Sequence, residues 1–137
     1  EFREGSRQMG RQTLRVAAAL TSDPRVVAYA GLVDGSQSPG HHAVAFGLAA
    51  AALGWTPLAT ASAYLYSTTA LLVGAALRLV SMGQLEGQRV LWSLHPVIER
   101  VAREAVERGP EDLWSFNPAI EQAGIRHESL EMRLFRS

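Results

Sequence analysis

From Ala43 to Leu77 the chain carries no Asp, Glu, Lys or Arg. A run of that length without charge constrains the fold more than any other feature, because ~20 uncharged apolar residues can span a bilayer and a helix apolar all round needs cover. Thr56-Pro57 divides the run, and Thr60, Ser62, Tyr64, Tyr66, Ser67, Thr68 and Thr69 dilute its second half. No basic cluster flanks either end to set an orientation across a membrane. The run therefore reads as central helices of a bundle rather than a membrane span. Its small residues would let neighbouring helices, or a second copy of the chain, approach closely.

Apolar residues recur at helical period nearly everywhere, and no two-residue alternation is convincing. A first helix is expected from about Arg3 to Leu20, with Met9, Thr13, Val16 and Leu20 on one stripe. Asp23 can cap and Pro24 can open a second, to about Leu32. The turn residues from Asp34 to Gly40 make a loop. A third helix covers His41 to Leu53, and a fourth, capped by Thr56 and opened by Pro57, runs to about Met82. A fifth covers roughly Glu86 to Arg108, with Val90, Leu94, Val97, Val101 and Ala105 along one side. On its exposed side Glu99 and Arg103, Arg100 and Glu104, and Glu104 and Arg108 stand four apart, in reach of one another. Pro96 should kink it or mark a break. Beyond Gly109-Pro110, the tail from Glu111 to Ser137 should hold short helical pieces interrupted by Pro118 and Gly124. The expectation is all-α: a single-domain bundle of about five to seven helices over residues 1–137, with 111–137 a partner-binding tail.

Thirteen basic residues balance thirteen acidic ones, which leaves no global field to hold nucleic acid. All the basic residues are Arg, whose planar fork suits bidentate pairing with carboxylates. Cysteine is absent, which excludes disulfides, thiolate metal sites and cysteine nucleophiles together. That absence fits a reducing compartment, and a cytoplasmic location is expected. The chain opens Glu1-Phe2-Arg3 within a helical pattern, with neither an initiator Met nor a signal peptide visible. A further part upstream is expected to belong to the protein.

His41 and His42 are the first place to look for a metal. Adjacent residues on a helix point about 100° apart, so the pair chelates one ion poorly, and the nearest acid in sequence is Asp34 across a loop. A polar helix start explains the pair; a helical metal-binding protein or hydrolase built on it is the alternative reading. No nucleophile-elbow pattern surrounds any serine, and Gly5 and Gly10 frame Ser-Arg-Gln-Met without the Gly-Lys-Ser/Thr ending of a phosphate-binding loop. No catalytic residue and no cofactor site is expected. Arg3, Arg7, Arg11 and Arg15 recur every four residues on one face of the first helix, where like charges repel unless solvated or met by carboxylates. The tail mixes Arg with bulky apolar residues to its last position, the composition of an interface anchor.

Several segments resemble the UreF family of urease accessory proteins. They are Ser6-Arg7-Gln8-Met9-Gly10, Gly40-His41-His42-Ala43-Val44-Ala45-Phe46-Gly47, Tyr64-Leu65-Tyr66-Ser67, Ala76-Leu77-Arg78-Leu79-Val80, Gly83-Gln84 with Gly87-Gln88-Arg89, Ser115-Phe116-Asn117-Pro118, Arg126-His127-Glu128 and the closing Arg133-Leu134-Phe135-Arg136-Ser137. The family's N-terminal part has no counterpart here. Gln122-Ala123-Gly124-Ile125 and Glu131-Met132 depart from its usual pattern.

The resemblance implies an all-helical maturation factor that is not an enzyme. It implies a homodimer that binds the accessory protein UreD/UreH, recruits the GTPase UreG and serves nickel insertion into apo-urease. It implies that Arg126, His127, Arg133, Leu134, Phe135 and Arg136 bind the accessory partner. Arg3, Arg7, Arg11, Tyr64, Tyr66 and Arg78 would then face the dimer or the GTPase.

Overall fold

The computed structural model describes residues 2–113 and 115–128. Six α-helices follow one another: α1 (Phe2–Leu20), α2 (Pro24–Asp34), α3 (His42–Ala52), α4 (Pro57–Leu79), α5 (Gln84–Val106) and α6 (Pro118–Glu128), with a 3₁₀ turn at Pro110–Asp112. The described residues contain no strand, so the all-α expectation and its helix number hold. The helices gather into two compact units, α1, α2, α3 and α6 in one and α4 with α5 in the other.

The helix starts follow from local chemistry. Asp23 accepts the Arg25 amide at 2.9 Å and Thr56 accepts that of Ala59 at 3.2 Å, each satisfying one donor that a helix leaves unpaired at its first turn. A proline follows each cap, where its missing N–H costs nothing. Asn117 stands before Pro118 in the same relation, its side chain accepting the Ile120 amide at 3.3 Å. Pro118 therefore opens α6 rather than interrupting it, and Gly124 lies inside that helix.

In the first unit Leu14, Val33 and Ala45 form a core that Tyr29, Ala30 and Leu48 border. Fully burying a side chain of Leu or Val size contributes about 1.5–3 kcal/mol. α1 buries Gly10, Leu14 and Ala17. The stripe expected from Met9, Val16 and Leu20 is instead exposed, at 44, 56 and 73%. The small Gly10 and Ala17 let the backbone of α1 come close to its neighbours, and close approach decides which side turns inward. Gly124 of α6 is buried beside the Phe2 ring, where a methyl group would meet that ring.

In the second unit α4 and α5 run antiparallel. Tyr66 meets His95, and Leu77 lies against Gly87. α5 buries Gly87, Leu91 and Ala102, a line rotated from the expected one, and Val90 and Val97 stay exposed. Pro96 neither ends nor divides α5, which is continuous from Gln84 to Val106. Pro96 and Trp92, four residues apart, are both exposed. The pairs Arg100–Glu104 and Arg103–Glu99 form. Glu104, engaged by Arg100, makes no pair with Arg108. α4 departs most from expectation. Only Val73 is buried, while Leu71, Leu72 and Leu79 are exposed, so within these residues it is not a covered central helix. It is the one helix among the described residues long and apolar enough to cross a membrane by length and composition.

Candidate interaction surfaces

Ser6, half-buried on α1, faces the start of α3. Its hydroxyl oxygen lies 3.2 Å from His41 Nδ1 and accepts the His42 amide at 3.2 Å. His41 is the cap residue of α3, yet its own side chain makes no capping bond. The cap is supplied from another helix.

Gly10, one turn further along α1, completes this junction. A methyl group at Gly10 would run into the Gly40 carbonyl and the His41–His42 peptide. Gly40 adopts φ +67°, and a side chain there would also strike Val33. Ser6 and Gly10 thus meet Gly40, His41 and His42 in space. Two of the segments singled out in sequence are one structural joint, with Ser6 bonding across and the glycines allowing contact.

Among the described residues no three His, Cys, Asp or Glu side chains gather to hold an ion. The His42 ring packs edge-on against Phe46 with centroids 5.9 Å apart. Burial pushes its pKa below the usual histidine value, which favours the neutral ring.

Arg7 bonds Glu4 at 3.3 Å through one terminal nitrogen, while its buried Nε meets no acceptor. Arg3, Arg11 and Arg15 are exposed along the same ridge. On α4, Tyr64 and Tyr66 leave nearly opposite sides, because two residues turn a helix through about 200°. Tyr64 and Arg78 share one side. Arg78 also borders a cleft of about 340 Å³ between α4 and α5, floored by Val73, Leu77 and Leu91. Tyr66 stacks obliquely on His95 with centroids at 5.8 Å, and Trp92 lies at 5.0 Å from the same imidazole. Trp92 is 73% exposed. This aromatic group was missed in sequence, although Trp92 and His95 stand three apart on one helix, a spacing that brings rings together.

Arg126 and His127 occupy the last turn of α6, Arg126 exposed and His127 half-buried. Arg133, Leu134, Phe135 and Arg136 lie outside the described residues.

Comparison with known proteins decides what these surfaces belong to. The UreF family model matches residues 1–95. The chain belongs to the UreF family. It is 33% identical over 137 residues to the urease accessory protein UreF of Bacillus sp. strain TB-90, covering all of this chain and 60% of that protein. It is 35% identical over 138 residues to that of Paenarthrobacter aurescens, with 100% and 61% covered. A Cereibacter sphaeroides UreF is 43% identical over 94 residues, 69% of this chain and 45% of that protein. The chain thus spans about 60% of the length of the first two relatives. No solved structure matches it.

Proposed function

We propose that this protein is a urease accessory protein, an interaction component of urease maturation without chemistry of its own. Similarity to proteins named urease accessory protein UreF along the whole chain carries this reading. In it, the protein binds UreD/UreH, recruits the GTPase UreG and so serves nickel insertion into apo-urease, in the cytoplasm and as a homodimer. The surfaces described above suit such a role. Exposed Leu71, Leu72 and Leu79 on α4, the Tyr66–Trp92 aromatic group and the arginine ridge are the materials of interfaces. The anchor on the accessory partner is assigned to Arg126, His127, Arg133, Leu134, Phe135 and Arg136.

The alternative reading, a metal-binding protein or hydrolase built on His41 and His42, finds less support. His41 Nδ1 is engaged by Ser6, and the His42 backbone is the group that Ser6 caps.

The test is urease activity in a bacterium whose own UreF gene is deleted and replaced by the gene for this protein, with its cognate accessory genes and urease supplied. Restored, nickel-dependent activity supports the reading. Inactive, nickel-free urease beside normal levels of this protein contradicts it.

A further inference from the structure

The arginines of α1 are arranged unlike the other charges of the chain. On α5, Arg100 and Arg103 are each met by a glutamate four residues away. α1 has four arginines at four-residue spacing and, within Phe2–Leu20, one acid, Glu4. Glu4 meets Arg7 alone, from three residues away. Among the described side chains, no acid pairs with Arg3, Arg11 or Arg15. Arg7 differs from the other three, its Nε buried and its terminal nitrogen holding Glu4. Like charges at four-residue spacing repel, so nothing within α1 itself favours this pattern. The chain as a whole is balanced at 13 basic and 13 acidic residues, so the ridge is not the local edge of a generally basic protein.

The spacing says what would fit. Four residues of helix rise about 6 Å, so the ridge runs about 18 Å from Arg3 to Arg15. A second helix with Asp or Glu at the same four-residue interval presents carboxylates at the same rise, each able to meet a guanidinium fork. Gln8 and Gln12, exposed beside the ridge, can bond to the polar rim of such a helix. A nucleic acid fits less well, since the charge is one residue wide and no net positive field supports it.

We infer that the Arg3–Arg7–Arg11–Arg15 ridge of α1 docks an acidic helix of a partner protein. This rests on the reading of the chain as an interaction component and names the chemistry of one partner surface. The docking is electrostatic, so it governs the rate of encounter and weakens as salt rises.

The test is fluorescence anisotropy with three labelled probes: a helical peptide with Glu at every fourth position, the same peptide with Gln there, and a single-stranded DNA oligonucleotide. The protein is used unaltered, as Arg11→Glu/Arg15→Glu, and as Arg11→Gln/Arg15→Gln, with circular dichroism confirming that each variant keeps its helices. The expected result is binding of the Glu peptide, weakened at least tenfold in both variants and at raised salt, with no binding of the Gln peptide. Failure of the unaltered protein to bind the Glu peptide, or equal binding by folded variants, overturns the proposal. Tighter, arginine-dependent binding of the oligonucleotide also overturns it. Capture of UreD/UreH by the unaltered protein is measured in parallel, so a failed ridge is told apart from a failed functional reading.

Discussion

The Ser6 hydroxyl accepts the His42 amide across 36 residues of sequence and so caps α3 from α1. A helix start is ordinarily capped by its own preceding residue, which here is His41 and makes no such bond. Substituting Ser6→Ala should therefore cost about 1 kcal/mol of stability, since it removes a cap and leaves an amide and an imidazole nitrogen without their partner. Urea unfolding of the variant beside the unaltered protein measures this. A midpoint unchanged by Ser6→Ala would mean that the hydroxyl does not hold the joint.

Two glycines should respond in opposite directions. A methyl group at Gly10 meets the Gly40 carbonyl, which is backbone and cannot swing away, so Gly10→Ala should destabilise by about 1–3 kcal/mol or more. Gly47, inside α3, has open space where a side chain would go. There Gly47→Ala should stabilise by about 0.5–1 kcal/mol through helix propensity. Thermal unfolding of the two variants checks the contrast, and similar shifts would contradict it.

The pH dependence follows from two groups of opposite kind. Burial lowers the His42 pKa from 6.5, so the unfolded chain binds the proton more readily. The stability that His42 contributes is present above the unfolded value and is lost as pH falls through 6.5 toward the folded value. Replacing His42→Gln should flatten stability measured between about pH 7.5 and pH 5. Asp23 is held at about 2 by hydrogen bonds and an ion pair from Arg25, so its contribution persists through that range and is lost only as pH falls from 3.8 through about 2. An unchanged slope in the His42→Gln variant would sink the assignment.

The tail assignment makes its own prediction. Changing Arg133→Ala or Arg136→Ala should each weaken binding to UreD/UreH by more than about 1 kcal/mol, about fivefold or more, as expected for a buried interface anchor. Calorimetric titration of each variant reads this directly, and unchanged affinity would show the tail to be peripheral.

Much of the fold was legible because its signals are local. Asp23-Pro24 and Thr56-Pro57 mark helix starts through backbone chemistry, and the structure places α2 and α4 at those residues. The facing of the helices was less legible. Met9, Val16 and Leu20 form the more apolar stripe of α1, yet the helix buries Gly10, Leu14 and Ala17. Periodicity counts apolar side chains, whereas close packing of this joint depends on having almost no side chain at Gly10 and Gly40. The same limit applies on α5, where Gly87 belongs to the buried line. Between the kink and the break expected at Pro96, the structure excludes the break. The proline's cost depends on whether the carbonyl it strands can reach water, which a sequence does not state. Of the surfaces, the arginine ridge could be read from spacing alone. The Ser6 cap could not, since it joins residues that only the folding of α1 onto α3 brings together.

The most direct measurement is co-purification of UreD/UreH and UreG with this protein, intact and lacking residues 129–137. The account predicts that the intact protein retains both partners and the shortened one neither, with α6 unaffected by the deletion. Loss of neither partner on shortening, or capture of neither by the intact protein, would contradict it.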